Sequence, residues 1–187
     1  LRASITGELI FDNVKVPKSN LVGELNRGWD VAKELLKHER NLMAISDILA
    51  EKEEISLVEM ALANLEKTET GQLSDGDLRS RLAKQLMEAM AFDQLNERLF
   101  QQQKARQLDP RLGLLLKHIG TSQLQTKDEL ILEILGNRAL SWTAPQSSPQ
   151  EHTVTRNWAF NKSQTIAGGT SEIQLNIIAK RALGMAS

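Results

Sequence analysis

Ile166-Ala167-Gly168-Gly169-Thr170-Ser171-Glu172-Ile173-Gln174 runs two adjacent glycines into Thr-Ser-Glu and then into an apolar-periodic segment. Two glycines permit a backbone path that residues with a Cβ avoid. Thr170 or Ser171 can cap the helix that follows, and Glu172 suits the positive end of its dipole. Exposed N–H groups at such a turn form a ready anion site. The same residues equally serve a C-cap glycine followed by an N-capped helix with no ligand. Either reading predicts a last helix from Ser171 to about Leu183.

Upstream, helical periodicity dominates. From Trp29 the apolar residues Val31, Leu35, Leu42, Ile45 and Leu49 fall at helical spacing, and the pattern resumes at Ile55, Val58, Leu62 and Leu65. No proline interrupts it, which predicts one long helix to about Lys67. A polar loop, Thr68 to Asp77, follows. Asp75 or Asp77 can cap a second helix whose stripe runs Leu78, Leu82, Leu86, Ala89, Leu95 and Leu99. Asp109-Pro110 pairs an N-cap with proline at the first helical position. The third helix carries Leu112, Leu115, Leu116 and Ile119, softens at Gly120-Thr121-Ser122, and continues toward Leu140. Ser141 to Pro149 is loop by composition, and a short helix spans about Gln150 to Lys162.

Ahead of these helices, Ile5 to Val16 alternates loosely and reads as one or two short strands with a turn, ended by Pro17 and Lys18-Ser19-Asn20. An isolated hairpin would be marginal, so these residues look like the last strand of a sheet whose other strands are missing. The expected fold class is all-α: an up-down four-helix bundle with an extra short helix, preceded by a remnant β-strand or hairpin. The expected division is 1–24 as the end of a preceding β-domain with its linker, and 25–187 as the bundle.

The bulk properties narrow the function. The 187 residues suffice for a full core in one domain. With 23 basic and 24 acidic residues the net charge is −1, so nothing electrostatic favours nucleic acid or an anionic membrane. Cysteine is absent, and the three histidines, at 38, 118 and 152, share no metal-ligand spacing. No metal site is expected, and no apolar run reaches the length of a membrane span. Leu1-Arg2-Ala3-Ser4 lacks a start and reads as a cut edge without a signal peptide, which fits a cytoplasmic setting.

The double-glycine stretch and its continuation Asn176-Ile177-Ile178-Ala179-Lys180-Arg181-Ala182-Leu183-Gly184 resemble the closing motif of acyl-CoA dehydrogenases. The opening Thr6-Gly7-Glu8-Leu9-Ile10-Phe11-Asp12-Asn13-Val14-Lys15-Val16-Pro17, with Leu21-Val22-Gly23-Glu24, is similar to the segment that ends the family's middle β-domain. The resemblance thus covers nearly the whole chain. It implies FAD as cofactor, an acyl-CoA thioester as substrate, and oxidation of the α,β-bond by loss of an α-proton and a β-hydride. It also implies electron transfer to an electron-transferring flavoprotein, and a homodimer or tetramer built through the helical bundle.

The protein must place a carboxylate at the substrate α-carbon. In much of the family that carboxylate directly precedes the last Gly-Thr, a place held here by Gly168. A second arrangement in the family puts the glutamate on the first long helix, in a Glu-Arg pair. Lys37-His38-Glu39-Arg40 matches it, which makes Glu39 the expected base and Arg40 a substrate-side residue that orients or balances charge. Taken alone, Glu39 is an ordinary helical glutamate in a solvated ion pair.

For the flavin, the resemblance points to Gly168, Gly169, Thr170, Ser171 and Glu172 near the ribityl and phosphate region. Glu133 to Leu140 aligns with a Gln-x-x-Gly-Gly-x-Gly-aromatic motif that meets the adenosine half from a neighbouring subunit. Of its glycines only Gly136 is kept, and Glu133 stands in place of glutamine. The family's Arg-x-x-Phe-Gly motif is absent, and Arg79 and Arg81 are the arginines available to supply its charge. These departures define a second reading, a non-catalytic partner subunit of a heteromeric complex. The pattern at Leu78 to Ala83 resembles bacterial relatives acting on long or unusual acyl chains, sterol side-chain thioesters among them.

Overall fold

The computed structural model describes residues 7–36, 56–107, 109–140 and 149–185, and among them the regular structure is helical, with no strand. The first helix, α1, is described over 28–36. Arg27 and Lys33 both pair with Asp30 at its start, at 2.5 and 2.8 Å. The next helices are α2 (Leu57–Asn64), α3 (Gly76–Lys104), α4 (Pro110–Leu135), α5 (Pro149–Asn161) and α6 (Ser171–Ile177).

Three of the helix starts follow the local chemistry of the sequence. The Asp75 carboxylate accepts the Leu78 N–H at 2.9 Å and opens α3. Asp109 accepts the Arg111 N–H at 2.9 Å, ahead of Pro110, and opens α4. Thr170 Oγ1 accepts the Ile173 N–H at 3.3 Å and opens α6. Each bond satisfies an amide that the first helical turn leaves without a backbone partner.

Four expectations need correction. The long helix predicted from Trp29 to Lys67 is broken at Ser56, whose ψ of 134° is extended, and its last segment ends at Asn64. Serine competes for non-helical backbone at a cap, and here its carbonyl starts α2 by accepting the Met60 N–H. The strand expected over 5–16 is not formed among the described residues 7–16, where Leu9, Ile10 and Phe11 are exposed. A strand needs a ladder partner, and none is present among the described residues. The third helix leaves α geometry at Leu135, and Gly136–Leu140 continues as a 3₁₀ segment. The last helix widens after Ile177 into a π turn, Ile178–Ala182, closed by the Leu183 N–H donating to the Ile178 carbonyl at 3.1 Å. Met185 N–H then returns to the Ala179 carbonyl around Gly184, a helix-ending motif.

α4 is the hub. It packs against α2, α3, α5 and α6. α3 and α4 form an antiparallel hairpin, tied by Gln85 Nε2 donating to the Gln123 carbonyl at 3.3 Å and by Gln123 Nε2 donating to the Glu88 carbonyl at 2.9 Å. At Gly120 the Phe92 ring of α3 packs closely on α4, since a Cβ there would meet Phe92 Cζ at 3.0 Å. The Gly-Thr-Ser patch therefore serves helix packing within a continuous α4.

The main core joins Leu57 and Ala61 of α2, Leu73 just before α3, Leu78 and Leu82 at its start, and Leu130 and Ile134 near the end of α4. The predicted α3 stripe holds at Leu78, Leu82 and Leu99, whereas Leu86 is exposed and Gln85 is buried in its place. A second cluster is polar. Asn161 Nδ2 donates to the buried Asp128 at 2.8 Å, and the Gln125 amide donates to the Asn161 carbonyl at 3.0 Å, fixing α5 to α4.

Candidate functional site

Gly168 and Gly169 both take positive φ, 67° and 102°, so the corner they form needs residues without a Cβ. A Cβ on Gly169 would lie 2.7 Å from Gln174 Nε2. That amide is in use, because the buried Gln174 donates it to the Gly168 carbonyl at 2.9 Å. From α4, Lys117 Nζ donates to the Gly169 carbonyl at 2.7 Å. The two glycine carbonyls are thus held by side chains from two different helices. Gly169→Ala should destabilise the full-length protein by about 1–3 kcal/mol, read as a lower midpoint in urea unfolding, because it strains the backbone and displaces Gln174.

Charge is concentrated at the same corner. Burial pushes the Lys117 pKa below the ordinary lysine value, with Glu172 acting in the opposite direction. The Glu172 carboxyl is held below its usual range by its own backbone N–H, then by the Thr170 hydroxyl, with a smaller contribution from Lys117. Thr170, Ser171 and Glu172 therefore gather two hydroxyls, the Thr170 N–H, which has no acceptor among the described residues, and a lysine ammonium around one turn, beside the Glu172 carboxylate. This donor set suits a polyol or phosphate.

The remaining candidates lie elsewhere. Arg81 forms a two-point ion pair with Glu133, Nη1 reaching Oε2 at 2.7 Å, and its Nε donates to Asp77 at 2.8 Å. Glu133 first and Asp77 second raise the guanidinium pKa further. Arg79 Nη1 donates to Gln72 Oε1 at 3.1 Å and to the Leu73 carbonyl at 3.3 Å. Both arginines are engaged within the chain. Gly136 has φ 54° and ends α4 beside Glu133. This second group sits about 24 Å along α4 from Lys117 at the helical rise of about 1.5 Å per residue. The structure brings 168–172 together and places Arg79, Arg81 and Gly136 at the other end of α4. Glu39 and Arg40 lie outside the described residues.

Two features escaped the sequence reading. Lys117 carried no local signal, since its partner is 52 residues away. The Arg81–Glu133 pair spans the same separation and settles where the Glu133 carboxylate turns.

Comparison with known proteins decides the family. The model of the acyl-CoA dehydrogenase C-terminal domain matches residues 26–183. The chain belongs to the acyl-CoA dehydrogenase family. Acyl-CoA dehydrogenase FadE34 of Mycobacterium tuberculosis (strain ATCC 25618 / H37Rv) is 27% identical over 182 residues, covering 97% of this chain and 23% of that protein. Among solved structures, the Tcur3481-Tcur3483 steroid ACAD shares the fold with a TM-score of 0.72 at 23% identity, over 94% of this chain and 44% of that one. The ChsE4-ChsE5 complex from Mycobacterium tuberculosis gives a TM-score of 0.67 at 24% identity, over 92% of this chain and 44% of that one. The chain spans less than half the length of the curated relatives it matches, 23% of FadE34 and 46% of FadE26.

Proposed function

We propose that residues 25–187 form the C-terminal helical domain of an FAD-dependent acyl-CoA dehydrogenase, with residues 1–24 closing its middle β-domain. The observation that carries this reading is the built glycine corner at Gly168 and Gly169, whose donor set fits the ribityl-phosphate region of a flavin. When bound, FAD supplies the acceptor for the β-hydride. The protein's own part is proton transfer and orientation. Glu39 removes the α-proton of the acyl-CoA thioester, because Gly168 offers no carboxylate. Arg40 balances charge beside it. Thr170, Ser171 and Glu172 orient the cofactor through hydroxyls and backbone. The electrons then pass to an electron-transferring flavoprotein. The steroid ACAD among the fold relatives makes sterol side-chain thioesters the first substrate class to assay.

Association through the bundle fits the exposed Met87 and Met90 on α3, 70% and 69% accessible, which leave apolar surface without a partner among the described residues. No helix among the described residues is long and apolar enough to cross a membrane. A cytoplasmic location belongs to the same proposal.

A second reading, a non-catalytic subunit of a heteromeric complex, draws on one observation. Arg79 and Arg81 are both committed to partners in their own chain, which leaves the charge expected to replace the absent Arg-x-x-Phe-Gly motif spent. Flavin content of the full-length protein, purified alone and with co-expressed genomic neighbours, separates the two. A stoichiometric flavin in the protein purified alone, reduced by acyl-CoA, supports catalysis, and flavin present only in the co-expressed preparation supports the partner subunit. The chain alone should retain no stoichiometric flavin after incubation with FAD and gel filtration, because the remaining walls of the pocket belong to other parts of a longer protein.

A further inference from the structure

The peptides of the glycine corner differ in how they are held. The Gly168–Gly169 peptide is used at both ends, its carbonyl taken by Gln174 Nε2 and its N–H by the Ile166 carbonyl at 3.2 Å. The Gly169–Thr170 peptide is used at one end only. Its carbonyl accepts from Lys117 Nζ at 2.7 Å, and its N–H has no acceptor among the described residues. The described chain contains no cis peptide, and in a planar trans peptide the C=O and N–H point in opposite directions. A carbonyl drawn toward α4 therefore turns the Thr170 N–H away from α4. Without that anchor, the glycine backbone can rotate the plane at little cost.

We infer that Lys117 is a positioning residue: by anchoring the Gly169 carbonyl from α4 it fixes the Gly169–Thr170 peptide plane and aims the Thr170 N–H at the cofactor. The aim toward a cofactor rests on the flavin reading above. The peptide plane itself does not. Lys117 also keeps a cation half-buried behind the turn, where it adds a small contribution to the lowering of the Glu172 carboxyl that its own backbone N–H and the Thr170 hydroxyl mainly cause. Lys117 need not touch the flavin to act, since its effect passes through one peptide unit.

The test uses the full-length protein with Lys117→Met and Lys117→Arg. Losing a hydrogen bond from a charged donor should weaken FAD binding about tenfold and speed amide exchange across 166–175 about tenfold. In the same variant the visible circular dichroism of bound flavin should change. Lys117→Arg keeps a charged donor and should restore all three. An FAD dissociation constant and local exchange both unchanged in Lys117→Met overturn the inference. So does exchange that rises uniformly over the whole bundle, which marks a merely structural lysine. Should Lys117→Met not fold, Lys117→Gln takes its place with the same readings. A wild-type protein that takes no FAD ends the flavin reading, and exchange over 166–175 then decides the role of Lys117 alone.

Discussion

Glu39→Gln in the full-length protein should lower kcat/KM for acyl-CoA dehydrogenation by about 10²–10⁴-fold, the usual worth of a positioned general base. The substitution keeps size and polarity and removes only the proton acceptor. Flavin content should not change, because the proposed cofactor contacts lie at 168–172. Loss of activity with flavin retained therefore isolates the base. Stopped-flow reduction of bound flavin by substrate is the direct reading, since it sees proton and hydride removal before any later electron transfer. A reduction rate close to wild type would falsify the assignment of Glu39. A carboxylate returned at the other family position, by Gly168→Glu in the Glu39→Gln background, should recover part of the rate. It should do so at a cost in stability, because φ at 168 is 67° and a Cβ there costs about 1–2 kcal/mol.

Leu130→Ala should destabilise the bundle by about 2–5 kcal/mol, measured as the shift in urea midpoint at constant m-value. Leu130 is 2% exposed and sits in the core cluster between α2, α3 and α4. Its side chain has no water to relax into, so truncation leaves a cavity as well as removing buried surface. The neighbouring Arg81–Glu133 pair is a useful contrast. It is geometrically good but solvated, and an exposed ion pair contributes little to stability. A Leu130→Ala effect no larger than that of breaking the surface pair would mean that the three helices are held by something other than this cluster.

The fold was legible where its determinants are local. Asp75, the Asp109-Pro110 pair and Thr170 each act within one helical turn, and each start falls where the residue types require it. The Gly168-Gly169 corner was legible for the same reason, since its two positive φ angles are a property of glycine itself. What the sequence concealed is non-local. The break at Ser56 sits inside an apolar-periodic run, where the period outweighs one serine. Gly120 looked like a bend, and its actual neighbour, Phe92, lies on another helix. Lys117 reads as one of many surface lysines until the chain returns, 52 residues later, to present a carbonyl to it. Arg79 and Arg81 read as available to supply the missing motif's charge because their partners Gln72 and Glu133 are not evident from spacing. The strand expected over 5–16 is absent from the described residues 7–16 for the complementary reason, since alternation alone cannot supply a neighbouring strand.

One helix carries both ends of the candidate machinery, with Lys117 in its first half and Glu133 near its close. Such a rod acts as a ruler. Each residue adds about 100° of rotation as well as about 1.5 Å of rise. A single insertion or deletion between 117 and 133 would swing one anchor onto a different side of the rod while the other stayed in register. Substitutions along this stretch are therefore negotiable, and its residue count is not.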